Sequence, residues 1–150
     1  MKGLLIDDSR NPLEICWVDF DYTTDTWIIV RNYDDFVKVL QEERFDIISF
    51  DHDLDESSTF ECIRCNTNKD KFNYSKVKKK TGLDCAKFAK EYFESQNKPF
   101  PKYLVHSLNE QGRQNIINLL GEEKLVAKYN SLILFNKSDE ILQRRKSWSK

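Results

Sequence analysis

Ser49-Phe50-Asp51-His52-Asp53-Leu54-Asp55-Glu56 closes an apolar run that starts at Phe45 and is broken only by Asp46. The run reads as a buried strand, yet it ends in three consecutive titratable side chains. Unpaired charge inside a core costs several kcal/mol or more, so Asp51-His52-Asp53 points to a cation or a phosphate rather than to packing. Outward from it, Lys2 to Ile6 reads as a second short buried strand, stopped by Asp7-Asp8-Ser9-Arg10-Asn11-Pro12. Trp27 to Val30 is rich in β-formers, Lys102 to Ser107 is a strand ending in His106-Ser107, and Ser131 to Phe135 reads as a last strand ending at Asn136-Lys137.

Helical spacing fills the intervals. Asn32 is a good N-cap for a helix to about Glu43, with Phe36, Val37, Val39 and Leu40 on its apolar face. Thr81 opens another, with Leu83, Ala86, Phe88, Ala89 and Phe93 facing inward and Asp84 placed three residues after the cap. A third follows Asn109 to Gly112 and carries Ile116, Ile117, Leu119 and Leu120. Strands alternating with helices predict an α/β fold: a mostly parallel sheet covered by helices, with ligands bound beyond the carboxyl ends of the strands. Residues 55–80 lack sustained periodicity and are expected to be an insertion or mobile loop after the third strand, structured only in part. Residues 11–25 hold too many β-formers and turn residues for a helix, and residues 138–150 read as a terminal helix with a basic tail.

A chain of 150 residues with 39% hydrophobic and 13% aromatic side chains suits one globular domain, here 1–150. Lys+Arg 24 against Asp+Glu 25 leaves a formal charge of -1, which argues against a general nucleic-acid-coating role while allowing local patches. No stretch resembles a signal peptide or approaches the roughly 18 apolar residues of a membrane span, so a cytoplasmic location is expected. Four cysteines at 16, 62, 65 and 85 then imply thiols rather than disulfides. Cys62 and Cys65 have the spacing of half a zinc knuckle, but no second pair or nearby histidine accompanies them, and zinc there is the minor expectation.

The chemistry concentrates at the predicted strand ends. Asp7, Asp8, Asp51 and Asp53 offer the oxygens that magnesium or manganese prefers; the plain alternative is that some of them cap helices or sit in turns. The only two histidines, His52 and His106, each end a predicted strand. On neighbouring strands they would lie within about 10 Å of each other, close enough to share acid-base work on one substrate, unless one is a core residue or a metal ligand. Arg10 could clamp a phosphate or pair with a neighbouring acid. Ser107 and Asn109 could hydrogen-bond phosphate oxygens. Trp17, Trp27, Tyr33 and Phe36 read as core rather than as a base-stacking platform, and the lysines at 76–80 as a solvated face within reach of a phosphorylated substrate.

The acids after the first strand, Asp51, Ser107 and Lys137 together resemble the receiver domain of two-component signalling. That resemblance implies a flavodoxin-like fold of three layers around a five-stranded sheet, metal-binding acids at Asp7 and Asp8, a phosphoacceptor at Asp51, and a phosphate contact at Lys137. A closer resemblance is carried by Ile6-Asp7-Asp8-Ser9-Arg10-Asn11-Pro12, Ser49 to Leu54, Thr81-Gly82-Leu83-Asp84, and Val105-His106-Ser107-Leu108-Asn109 with Gly112 and Asn115-Ile116. These motifs, in this order over residues 2–120, are similar to the cyclic-phosphate processing receiver-like family. The resemblance implies a metal-dependent phosphoesterase acting on a cyclic phosphate of a nucleotide or RNA end. Asp7, Asp8 and Asp51 would hold the metal, His52, His106 and Asp53 would serve catalysis, and Arg10, Ser107 and Asn109 would hold the substrate, joined by Lys137 on the receiver resemblance alone. A module that sequesters a nucleotide signal, such as a phage anti-defence protein, and a phosphoacceptor receiver remain the competing readings.

Overall fold

The apolar runs form four strands: β1 (Lys2–Ile6), β2 (Thr26–Val30), β3 (Ile47–Phe50) and β4 (Lys102–Val105). The computed structural model describes residues 1–127. All pairings are parallel and the strand order is β2-β1-β3-β4. The described sheet therefore has four strands rather than the expected five. The expected fifth strand, Ser131 to Phe135, lies outside the described residues, as do Lys137 and the segment 138–150. Beyond β4 the chain does begin to pair again. Leu125 forms a parallel bridge with Tyr103, earlier than the hydropathy pattern suggests, with Val126 N–H donating to the Tyr103 carbonyl at 3.1 Å.

Strand alternation sorts the side chains onto two faces. Leu4, Ile6, Ile48, Phe50, Tyr103 and Val105 point to one side. There they meet α1 (Tyr33–Glu42), α3 (Gly82–Ser95) and α4 (Glu110–Leu120) through Phe36, Leu40, Ala86, Ala89, Ile116 and Ile117. Leu5, Ile47 and Leu104 point to the other side. No helix covers that side among the described residues. The irregular segment between β1 and β2, which holds only a short 3-10 turn at Pro12–Glu14, lays Ile15, Trp17, Val18 and Tyr22 across it. The expectation that residues 11–25 would not form a helix agrees with this. Where a helix would present one stripe, the loop presents two large aromatics, and these carry hydrogen-bonding groups into the core.

The helices begin where their caps say. The Asn32 side chain accepts from Asp35 N–H, Thr81 from Leu83 N–H, and Asn109 from Gly112 N–H. Residues 55–80 depart from the aperiodic reading, because Glu56–Asn68 forms a fourth helix, α2, capped by Asp55. Its inward face is polar: Ser58, Glu61 and Cys65 are buried while Phe60 and Ile63 are exposed, so no hydrophobic stripe marks it. Specific bonds replace that stripe. Arg64 donates twice to the Glu61 carboxylate, at 2.6 and 2.8 Å, and Glu61 accepts from Asn73 N–H at 2.9 Å. Gln111 of α4 accepts from Phe72 N–H at 2.8 Å and donates to the Asp70 carbonyl at 2.8 Å. The turn after α2 is thus tied to both neighbouring helices. No helix among the described residues is long and apolar enough to cross a membrane.

Candidate functional site

Strand register builds the centre. Ile6 lies beside Phe50, and Phe50 beside Val105. The ladder continues one residue further, with Asp51 N–H donating to the Ile6 carbonyl and His106 N–H to the Phe50 carbonyl, each at 2.9 Å. Asp7, Asp51 and His106 therefore sit in one row across β1, β3 and β4, on the face of Leu5, Ile47 and Leu104. All three are essentially inaccessible, at 0%, 1% and 0% exposure. One donor atom from each lies within 4.8 Å of the others, so the group could hold a metal ion.

The two carboxylates have been given different environments. Asp7 is fully engaged: Oδ1 accepts from Ser9 N–H at 2.9 Å and Arg10 N–H at 2.8 Å, and Oδ2 accepts from His106 Nε2 at 3.0 Å. Burial alone would raise its pKa, but the His106 bond, the Arg10 guanidinium and the two amides outweigh it and hold the carboxyl at about 2. Asp51 has one good bond, from His52 N–H to Oδ1 at 2.8 Å. Its Oδ2 is buried without a hydrogen-bond partner, 3.6 Å from Arg10 Nη2, and Arg10 Nη1 likewise has none. Burial and the negative Asp7 push the Asp51 carboxyl up to about 7. One guanidinium thus serves two acids and satisfies only the first, since Arg10 Nε lies 3.3 Å from Asp7 Oδ2.

His106 is held neutral by burial, the pull of Asp7 notwithstanding. Because ionised Asp7 only accepts, Nε2 carries the proton and Nδ1 must accept. Ser49 Oγ then donates to Nδ1 at 2.8 Å, and the Tyr22 hydroxyl donates to Ser49 Oγ at 2.8 Å. Trp17 Nε1–H donates to the His106 carbonyl at 2.6 Å, and the Trp17 ring lies 4.9 Å beneath the Arg10 guanidinium. Arg31, at the end of β2, fastens the 7–11 loop by donating to the carbonyls of Asp7 and Arg10 and to Asn11 Oδ1. A metal bound through His106 Nε2 would require the proton to move to Nδ1, a change the Ser49 and Tyr22 hydroxyls can accommodate by reversing.

His52 is placed elsewhere. One position beyond Asp51 it points to the helix face, 0% exposed, with Phe72 and Tyr74 edge-on to its ring. Nδ1 is 2.7 Å from Asp53 Oδ1, and Nε2 is 2.8 Å from the Tyr74 hydroxyl, which also accepts from Asn115 Nδ2 at 3.0 Å. Asp53 Oδ1 additionally accepts from Ser58 Oγ at 2.6 Å and Asn109 Nδ2 at 3.1 Å. The two histidines expected to share one substrate thus project to opposite sides of the sheet, and neither nitrogen of His52 is open. Asn109, expected at phosphate, has its amide divided between capping α4 and holding Asp53. Ser107 is buried and accepts from Asn109 N–H at 3.1 Å. Asp8 is exposed and outside the three-residue group, and partial desolvation of its carboxyl together with the adjacent Asp7 raises its pKa.

The glycines of the motifs belong to this packing. A methyl group on Gly82 would overlap the Asp51 carbonyl oxygen, and one on Gly112 would overlap the His52 ring. Only a missing side chain lets α3 and α4 begin so close to the Asp51-His52 turn. Cys62 and Cys65 stand one turn apart on α2, where burial pushes the Cys62 thiol up to about 12. Asp7, Asp51 and His106 form the one metal-competent group of three among the described residues, and neither Cys62 nor Cys65 is part of it.

A parallel sheet ordered β2-β1-β3-β4, with acids closing β1 and β3 beside each other, defines a receiver-like domain. The chain matches the family described as the cyclic-phosphate processing receiver domain over residues 2–122, and it belongs to that family. No curated protein and no solved structure matches it.

Proposed function

We propose that the protein is a metal-dependent phosphoesterase that opens a cyclic phosphate of a nucleotide or RNA end. The observation that carries this reading is the pair of buried orphans, Asp51 Oδ2 and Arg10 Nη1, beside a three-donor group that could hold a metal. An unsatisfied buried carboxylate oxygen is costly, and a divalent cation resolves it together with the repulsion between Asp7 and Asp51. A cation held by Asp7, Asp51 and His106 would neutralise phosphoryl charge and acidify a water for attack on phosphorus. Two oxygen donors with one imidazole suit manganese better than magnesium.

The chain's own groups supply the rest. Arg10 turns its unpaired Nη1 to a phosphate oxygen while Trp17 supports its plane. Ser49 and Tyr22 fix the ring of His106 so that one nitrogen faces Asp7 and Asp51. Asp8, exposed and next in the chain to Asp7 with a raised pKa, exchanges the proton that water loses and the leaving oxygen gains. His52 and Asp53 act from behind, by holding the turn that carries Asp51.

The test is hydrolysis of 2′,3′-cyclic nucleotides, cyclic dinucleotides and RNA ending in a cyclic phosphate, with manganese or magnesium added. Metal-dependent release of a phosphomonoester or linear product is expected. Absence of turnover on all of them by pure, folded protein contradicts the reading, and stoichiometric binding without product would favour a sequestering module instead.

A further inference from the structure

The segment between α2 and α3 carries Lys78, Lys79 and Lys80, and Lys87 follows one turn into α3. All four are exposed, and among the described residues none of them forms an ion pair. With Tyr74 they line a groove of about 440 Å³. Its acidic member, Asp84, is already engaged as the capping partner of Thr81 N–H at 2.8 Å. The groove also opens at the start of α3, a fourteen-residue helix whose positive end faces that way. In a chain of net charge -1 such a grouping is local, not a reflection of overall basicity.

The groove is fastened to the turn that carries Asp51. Lys78 N–H donates to Ser57 Oγ at 2.9 Å, and Gly82 N–H donates to the His52 carbonyl at 2.8 Å. Lys80 stands two residues before Gly82, a span of at most about 7 Å, and Gly82 touches the Asp51 carbonyl. The backbone of Lys80 thus lies close to the turn from which the Asp51 carboxylate projects. Lys79 and Lys80 also line an adjoining groove with Asp34 and Asp35, where Lys80 Nζ lies 4.1 Å from the Tyr33 ring centroid, and the two acids there disfavour an anionic chain relative to the Lys78–Lys87 side.

We propose that this lysine groove is a phosphate-chain subsite, and that the cyclic phosphate processed at the Asp7-Asp51-His106 centre is the end of a single-stranded polynucleotide rather than a free mononucleotide. The inference rests on the phosphoesterase reading for what happens at the end of the chain, but not for the binding itself. A mononucleotide has no second phosphate to place among these lysines, whereas each further phosphate of a polynucleotide adds a contact and releases a counterion.

The probe is a fluorescein-labelled oligoribonucleotide of about ten nucleotides with a plain 3′-hydroxyl, which binds without any turnover. Its anisotropy is followed with the full chain between about 50 and 200 mM salt. Each single-strand phosphate contact contributes about -0.7 to the slope of log affinity against log salt. The triple substitution K78Q/K79Q/K80Q should then flatten the slope by about 2 and weaken binding at low salt by at least about tenfold. Hydrolysis of a 2′,3′-cyclic mononucleotide should be unchanged in the same variant. The charge-matched control K38Q/K98Q/K102Q, on exposed lysines elsewhere, should leave the affinity as it was. No binding by the unsubstituted protein, equal losses in the two triple variants, or equal competition by polyglutamate would overturn the proposal. Binding as described with no turnover of any cyclic phosphate would uphold the groove and overturn only the phosphoesterase reading.

Discussion

Replacing Asp51 by Asn should make the metal-free protein more stable, and only above a certain pH. The Asp51 carboxyl stands at about 7 in the fold against an ordinary 3.8. Below 3.8 it is protonated folded or unfolded and contributes nothing. Between 3.8 and about 7 the unfolded chain releases the proton and the fold keeps it, so stability falls by about 1.4 kcal/mol for each pH unit. The accumulated penalty at pH 8 is about 4 kcal/mol. Asn keeps an oxygen for His52 N–H and carries no charge, so D51N escapes this penalty. The substitution also removes Arg10's weaker contact at 3.6 Å, worth about 1 kcal/mol at most, so the gain wins. At 2–4 °C per kcal/mol for a chain of this size, D51N should melt roughly 5–10 °C higher at pH 8 in chelator. The gap should close toward pH 4. Adding manganese should reverse the order at about a thousandfold excess over Kd, because only the parent gains the roughly 4.1 kcal/mol expected there. A D51N protein less stable than the parent at pH 8 without metal, or a gap independent of pH, would show that the fold does not hold Asp51 protonated.

Asp7 behaves oppositely. Held at about 2, it contributes stability that is fully present above 3.8 and lost as pH falls through about 2. R10M should shrink that acid limb in a urea titration by about 1 kcal/mol, the His106 bond and the two backbone amides keeping the remainder. Y74F removes the hydroxyl donated to His52 Nε2 and should cost about 1–3 kcal/mol of folding stability. It should leave KM for a cyclic mononucleotide unchanged, since His52 does not face the centre; a raised KM would place His52 at the substrate after all. G112A should cost about 1–3 kcal/mol or more through overlap with the His52 ring. Its measurable sign is a perturbed His52 proton resonance.

Much of the centre was legible in the chain because charge at the end of an apolar strand is rare enough to be informative. Asp7, Asp51 and His106 stand one residue beyond β1, β3 and β4, and the parallel order that makes them neighbours follows from alternating strands and helices. The separation of the two histidines was less accessible. Period-two alternation puts His52 with Phe50 and His106 with Leu104, but the two faces become distinguishable only once Phe50 is known to lie beside Val105. Tyr22, Trp17 and Tyr74 act through hydrogen bonds to residues 27, 89 and 22 positions away, which no local pattern encodes. Ser49 did carry a signal, since a lone hydroxyl in an otherwise apolar buried strand requires a partner. Helix α2 escaped notice because its buried face is Ser58, Glu61 and Cys65, so bonding rather than hydrophobicity fixes it.

Whether the ends of β1, β3 and β4 form one cation centre for phosphate chemistry is decided by pulsed electron paramagnetic resonance on the protein titrated with manganese. One tightly bound ion per chain is expected, with modulation from a single histidine nitrogen that disappears in H106Q and persists in H52Q. No tight site, or nitrogen modulation lost in H52Q and retained in H106Q, would rule out a cation centre at these strand ends.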